Sequence, residues 1–182
     1  MERMKINTKI LLFVLIVSLF SCKGTTQESG IEKPIAEFGP SEMEKNGFPK
    51  SVGIVNDYGQ IFSETQYLEL TKVLYEYDST TTRQIAVITI DSIAPYKNIE
   101  KYASDLGNEW GVGAADKNNG LVIVICKPCR QIAIATGLGT EQLLTDEICN
   151  EVIAETILPE FKNGEFYTGI SKGVNELIRR WN

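Results

Sequence analysis

A continuous apolar run near the middle of the chain is the sequence feature that most constrains the fold. This run, Leu121–Cys126, has no polar residue on either face of the strand that it predicts. A strand of this kind needs cover on both faces, as in a sheet that lies between two layers of helices. Gln84–Ile90 is rich in β-branched residues and predicts a second buried strand.

Two further strands complete the predicted sheet. Val52–Val55 is a short apolar run that leads into the turn-forming segment Asn56-Asp57-Tyr58-Gly59. Arg130–Thr136 follows a turn at Lys127-Pro128 and predicts a hairpin with the central strand. The hairpin adds one antiparallel pair to an otherwise parallel sheet.

Apolar residues recur at helical spacing between and after these strands. Ser63-Glu64-Thr65-Gln66 has the form of a capping box, so a helix is expected to begin near Glu64. Asn98 and Asp146 are the predicted caps of two further helices, and Pro159 is expected to end the second of them. The last helix is expected to begin at about Glu165. The order β-α-β-α-β-β-α-α predicts an α/β fold, a three-layer α/β/α sandwich with a mixed sheet of about four strands.

Residues 1–21 have the layout of a secretory signal, with basic residues followed by the apolar run Ile10–Phe20. Leu19-Phe20-Ser21-Cys22 resembles the lipobox of bacterial lipoproteins, which implies cleavage before Cys22 and lipid on its thiol and new amino group. A plain signal peptide and an uncleaved N-terminal anchor are the alternatives. More than one acyl chain would anchor the protein stably in a membrane.

We therefore expect a lipid-anchored protein of the cell envelope that faces the periplasm or the exterior. Lys23 replaces the aspartate that retains some lipoproteins in the inner membrane, which favours the outer membrane. Residues 22–50 hold scattered Gly, Pro and acidic residues without a period, and predict a flexible tether. Residues 51–182 are then one domain by length.

The charge and the residue types restrict the chemistry. The chain has 18 basic and 24 acidic residues, a net charge of −6, and without the three bases and one acid of residues 1–21 this becomes −8. Such a surface repels nucleic acid and is compatible with divalent cations. The absence of histidine excludes Ser-His-Asp and Cys-His catalysis and zinc sites built on imidazole. A bound metal would be held mostly by oxygen, which favours calcium, magnesium or manganese.

Short acids and amides follow or precede the predicted strands and helices. Loops at one edge of an α/β sheet converge in space, and crowded carboxylates are costly unless a cation neutralises them. The predicted metal ligands are Asp57, Asp116, Asn118, Asn119, Glu141 and Asp146. Taken singly, Asp57 is a turn former and Asp146 a helix cap. The segment from Asp116 is similar to the opening of an EF-hand loop, but Lys127 stands where that loop needs a carboxylate, so an EF-hand is rejected.

The segment Gly137–Glu141 lies between a predicted strand and a predicted helix. The amides of Gly137, Gly139 and Thr140 are a candidate phosphate cradle. The third glycine of a dinucleotide fingerprint is absent, since position 142 is glutamine, and no nucleotide P-loop motif occurs.

Three cysteines lie in the predicted domain. Cys126 and Cys129 flank a hairpin turn rather than the N-terminus of a helix, which disfavours redox catalysis and predicts either a small disulfide or two free thiols. Cys149 is a predicted packing residue on a helix.

Six motifs in order along the chain resemble the TPM domain family. They are VNDYGQI near Val55, QIAVITI, WGVG, NNGLVIV, IATGLGTE and LLTD, and the match covers about Ser51 to Trp181. The resemblance implies an α/β/α sandwich held outside the cytoplasm at a membrane. It also implies acid phosphatase activity in some members, divalent-cation binding in a cleft of acidic loops in others, and assembly or repair partners for several. Carried over by position, the site residues are Asp57, Asp116, Asn118, Asn119 and Asp146, with Glu141 next.

Two functions of different classes follow. The first is a metal-dependent phosphatase in which Asp57, Asp116 and Asp146 hold the metal, and Asp57 or Asp116 is the catalytic acid/base group. The second is a non-enzymatic, calcium-responsive module that binds, assembles or repairs an envelope membrane protein. A domain without a bound ion, whose oxygens serve only turns and caps, is the remaining interpretation.

Overall fold

Four strands form one mixed sheet in the order β1-β2-β3-β4 in a computed structural model that describes residues 47–182. The strands are β1 (Val55–Asp57), β2 (Gln84–Ile90), β3 (Gly120–Cys126) and β4 (Gln131–Thr136). β1, β2 and β3 are parallel to one another, and β4 is antiparallel to β3. The predicted α/β class, the mixed four-stranded sheet and the hairpin are confirmed.

The helices alternate with the strands and then follow them. The α-helices are α1 (Glu64–Thr81), α2 (Ile99–Trp110), α3 (Leu138–Glu141), α4 (Asp146–Glu151), α5 (Leu158–Lys162) and α6 (Phe166–Trp181), with a π-helical segment, Val152–Ile157, between α4 and α5. Within residues 47–182 no helix combines the length and the apolar character that a membrane span requires.

Two hydrophobic cores cover the two faces of the sheet, because successive side chains of a strand point to opposite faces. On one face, Leu121, Ile123 and Ile125 pack among the buried residues of α1, α6 and the π-helical segment. On the other face, Val122 and Val124 pack among the buried residues of α2. The apolar run of β3 is therefore buried on both sides, which confirms the three layers.

The first strand begins later than its apolar run predicts. The Asn56 side chain accepts a hydrogen bond from the amide of Val52 at 2.8 Å and donates one to the carbonyl of Gly53 at 2.7 Å. These bonds accompany a bend at Gly53 and Ile54, and pairing starts at Val55. Asp57 is consequently the last residue of the strand, whereas the sequence predicts it just after the strand.

Three other boundaries differ from the predictions. Thr145 and not Asp146 caps α4, because its hydroxyl accepts from the amide of Ile148. Pro159 does not end a helix, because helical structure runs without a break from α4 through the π-helical segment into α5, and Pro159 lies just after the π-helical segment. Phe48 is buried, so the packed part of the chain starts before the predicted boundary at Ser51.

Three predictions lie outside the described residues: the signal (1–21), the lipidation site (Cys22) and the tether as far as residue 46. The residues that the structure describes belong to one compact unit. Because this unit contains both cores, we expect it to fold without residues 1–34.

The burial of β3 on both faces yields a stability prediction. Ile123→Ala should lower the free energy of unfolding by about 2–5 kcal/mol, because it leaves a cavity at a fully buried position. Leu68→Ala on α1, where Leu68 is 47% exposed, is the control and should change it by less than about 0.5 kcal/mol. Urea unfolding measures both, and equal unfolding midpoints would contradict this packing.

Candidate functional site

The register of the sheet places the predicted site residues at two opposite ends. Asp57 pairs with Thr89 near the carboxyl end of β2, whereas Gly120 pairs with Gln84 at its amino end. Five residues of extended strand separate these levels by roughly 16 Å. The loop that carries Asp116 enters β3 at the amino end. The prediction that Asp57 converges with the other oxygens at one edge is therefore wrong.

Asp57 organises the turn between β1 and α1. Its Oδ1 accepts from the amide of Ile61 at 3.1 Å and from the Thr89 hydroxyl, and its Oδ2 accepts from the amide of Phe62 at 3.0 Å. The side chain is 4% exposed. A buried carboxylate needs such donors. The geometry thus favours the turn-forming role of Asp57 over a metal-binding or acid/base role.

Asn119 has a similar structural role at the amino end. Its Oδ1 accepts from the amide of Ala114 at 2.9 Å, and its Nδ2 donates to the carbonyl of Thr82 at 2.6 Å. Gly120 follows in a place that only glycine fits, since a Cβ would lie 2.0 Å from the carbonyl oxygen of Val112. These contacts fix the path of the loop and use the Asn119 amide within the protein.

The three amides of the candidate phosphate cradle also donate within the protein. Gly137 donates to the carbonyl of Gly120 at 2.9 Å, Gly139 to that of Asn118 at 3.0 Å, and Thr140 to that of Gly137 at 2.8 Å. The Thr140 hydroxyl is buried and donates to Gly120 at 2.9 Å. The cradle therefore has no support in the geometry, because none of these donors is directed at solvent.

The same bonds tie two loops together at the amino end of β3. A Cβ on Gly139 would lie 2.0 Å from the carbonyl oxygen of Lys117, so the turn at Gly139 rests directly on the Asp116 loop. Asp116, Asn118 and Glu141 are exposed in these adjoining turns. We call the loop 114–119 and the turn 137–141 together the amino-end loops. They bring part of the predicted ligand set onto one surface.

The amino-end loops do not gather a complete cluster of acidic ligands. Asp146 is exposed in the first turn of α4. In the part of the chain from residue 47 onward, no three Asp, Glu or Cys side chains are grouped closely enough to hold a metal ion. An ion here would take Asp116, the Asn118 amide and Glu141, with backbone carbonyls and water, which are oxygen ligands that calcium accepts.

A small polar cleft of about 70 Å³ adjoins these loops. Asn118 and Thr136 line one side, and Ser104 and Asn108 of α2 line the other. This cleft was not predicted from the sequence. The i, i+4 spacing of Ser104 and Asn108 on the exposed face of α2 is the signal that would have indicated it.

The cysteines supply no reactive thiol among the described residues. Cys126 and Cys129 form a disulfide, which decides between the two predicted alternatives. Cys149 is free and buried, and burial raises its pKa to about 11, with a further contribution from the nearby charge of Asp146. The thiol is neutral at physiological pH and acts as a packing group.

Comparison with known protein families identifies the domain. A family model described as the TPM domain matches residues 55–180. The chain belongs to the TPM domain family. The resemblance of the sequence motifs is thereby confirmed, and the match spans the whole sheet and, except for Trp181, all six α-helices.

Three solved structures are similar to this TPM domain. The N-terminal domain of a protein from P. gingivalis has 29% identity and a TM-score of 0.64, and the match covers 70% of this chain and 80% of that one. The BA42 protein of Bizionia argentinensis has 15% identity and a TM-score of 0.58, with 66% and 81% covered. The N-terminal domain of cg2496 from Corynebacterium glutamicum has 14% identity and a TM-score of 0.56, with 79% and 90% covered. No curated protein matches the chain.

The contacts of Asp57 predict a structural role that mutagenesis can test. Asp57→Asn should lower the free energy of unfolding by about 2–3 kcal/mol, because an amide nitrogen then faces backbone donors in a buried turn. Asp116→Asn, on the exposed loop, is the matched control and should change it by less than about 0.5 kcal/mol. Chemical denaturation measures both variants. Wild-type stability in Asp57→Asn would show that the carboxylate does not hold the turn.

Proposed function

We propose that this TPM domain protein is a non-enzymatic, calcium-responsive binding module, anchored at the envelope membrane by lipid on Cys22. One observation supports it best: the amino-end loops contact each other at Lys117 and Gly139 and carry the exposed side chains of Asp116, Asn118 and Glu141, while Asp57 is buried at the other end of the sheet. Exposed oxygen ligands on two loops that contact each other are suited to a cation that changes the conformation of a binding surface. Asp57, one of the two predicted acid/base groups, is not available to these loops.

The ion would act by restraining the two amino-end loops relative to each other. Asp116 and Glu141 lie on separate turns that meet at Lys117 and Gly139. A cation bound by both carboxylates would link the two turns. The site is exposed and has few charged ligands, so its affinity belongs to the weak range of extracellular calcium modules.

The same end of the domain offers an apolar contact for a partner. Leu138 is 73% exposed and Leu143 is 51% exposed, and both flank the turn that carries Glu141. A partner that covers these two leucines would remove their apolar surface from water. The proposed partner is an envelope membrane protein, which the proposed lipid anchor would keep within reach.

A metal-dependent phosphatase is the second candidate, and the observation in its favour is that the matching family model carries phosphatase in its name. The geometry gives it less support. Asp57 and Asp116 are at opposite ends of β2 and cannot share a metal. The amides of Gly137, Gly139 and Thr140 are already bonded. Activity would therefore have to proceed without Asp57 and without the cradle.

Calcium titration of residues 35–182 by calorimetry tests the proposal. Asp116→Asn/Glu141→Gln should weaken calcium binding about tenfold, because it removes both carboxylates of the site. Asp91→Asn/Glu155→Gln is the matched control, since it removes two exposed acids elsewhere. Its affinity should stay within about twofold of wild type. Absence of calcium binding, or an equal loss in the control, would overturn the proposal.

A second measurement separates the two classes of function. Hydrolysis of p-nitrophenyl phosphate with calcium, magnesium or manganese should not exceed the rate in buffer. Metal-dependent turnover that is lost in Asp116→Asn would replace the binding module with the phosphatase. With the full chain, calcium-dependent recovery of one membrane protein from solubilised envelopes should fail for Asp116→Asn/Glu141→Gln.

A further inference from the structure

A second concave surface lies at the carboxyl end of β3, far from the amino-end loops. It is formed by the β3–β4 turn together with α5 and the start of α6, and its volume is about 400 Å³. This is within the range of sites that bind small molecules. We call it the carboxyl-end groove. Most of its wall is apolar, from the side chains of Ile125, Ile132, Leu158, Phe161 and Phe166.

The rim of the carboxyl-end groove is positively charged. Its ten lining residues include Lys127, Arg130 and Lys162 and no Asp or Glu, although acidic residues outnumber basic ones by 24 to 18 in the chain. Among residues 47–182, none of the three takes part in an ion pair. Glu160, on the same helix as Lys162, instead pairs with Lys172 at 2.6 Å. Three cations without carboxylate partners around an apolar wall are complementary to an anion with an apolar body.

The β3–β4 turn holds two of these cations in place. The Cys126–Cys129 disulfide closes the turn, and the amide of Arg130 donates to the carbonyl of Lys127 at 3.1 Å. The Lys127 ammonium lies 4.8 Å from the ring centre of Phe166, within the range of a cation–π contact. The charged rim is thereby joined to the apolar wall.

The opposite wall is shaped by two local features. Leu158 comes directly after the π-helical segment Val152–Ile157, and such segments occur frequently at functional sites. Phe161 packs against Gly169, where a Cβ would lie 2.9 Å from its ring. The missing side chain at Gly169 lets the Phe161 ring lie close against α6 as part of the wall.

We propose that the carboxyl-end groove binds one long-chain carboxylate, with the acyl chain along Ile132, Leu158 and Phe161 and the carboxylate among Lys127, Arg130 and Lys162. The acyl chain removes the apolar wall from water, and the head group is attracted to three cations that form no ion pair within residues 47–182. A small inorganic anion makes no use of the apolar wall, and a neutral apolar molecule makes no use of the cations. A flat membrane surface does not fill a concave groove.

Calorimetry of residues 35–182 with dodecanoate, below the concentration at which it forms micelles, tests this site. One dodecanoate should bind per chain, and dodecanol should bind at least about fivefold more weakly because it carries no charge. Acetate, which has the head group without the chain, should not bind. Equal affinity for dodecanol and dodecanoate, no binding of dodecanoate, or binding only to anionic vesicles would overturn the proposal.

Two variants locate the bound carboxylate. Arg130→Gln/Lys162→Gln should weaken dodecanoate binding about fivefold or more, while Lys50→Gln/Lys72→Gln, with the same loss of charge on exposed residues elsewhere, should leave it unchanged. Gln131→Trp adds bulk at an exposed residue of the wall without removing core packing, and should abolish binding. The assignment would be contradicted if both Arg130→Gln/Lys162→Gln and Gln131→Trp bound dodecanoate with wild-type affinity and their unfolding curves showed intact folding.

Discussion

The burial of β3 on both faces is the constraint on which the rest of the structure depends. Its side chains alternate between two cores, so helices must lie above and below the sheet. β3 also joins the two parts of the sheet, since it is parallel to β2 and antiparallel to β4. The antiparallel return brings the end of β4 back to the amino end of β3. The amino-end loops meet for this reason.

The fold was predictable because its signals are local. Apolar runs, a capping box and a hairpin turn each indicate one element, and the order of the elements then restricts the architecture. The boundaries were less predictable where a single side chain decides them. Asn56 bonds to the backbone around Gly53 and delays β1, and Thr145 takes the cap assigned to Asp146.

The candidate site was predictable only in part, because it depends on which end of the sheet each loop occupies. Asp57 follows its strand, whereas Asp116 precedes its own, and parallel strands place such residues at opposite ends. Spacing in the sequence also does not show which donors are already used. The amides of Gly137 and Gly139 fit a phosphate by sequence, but their bonds to Gly120 and Asn118 exist only in the folded chain.

The two ends of the sheet therefore differ in chemistry. The amino end presents exposed oxygens, and the carboxyl end presents cations around an apolar groove. NMR of ¹⁵N-labelled residues 35–182 tests this separation most directly. Substoichiometric Mn²⁺ is added as a paramagnetic substitute for calcium. The strongest broadening should occur at the amides of 114–119 and 137–141. Equal or stronger broadening at Ile61 and Phe62, beside Asp57, would contradict it.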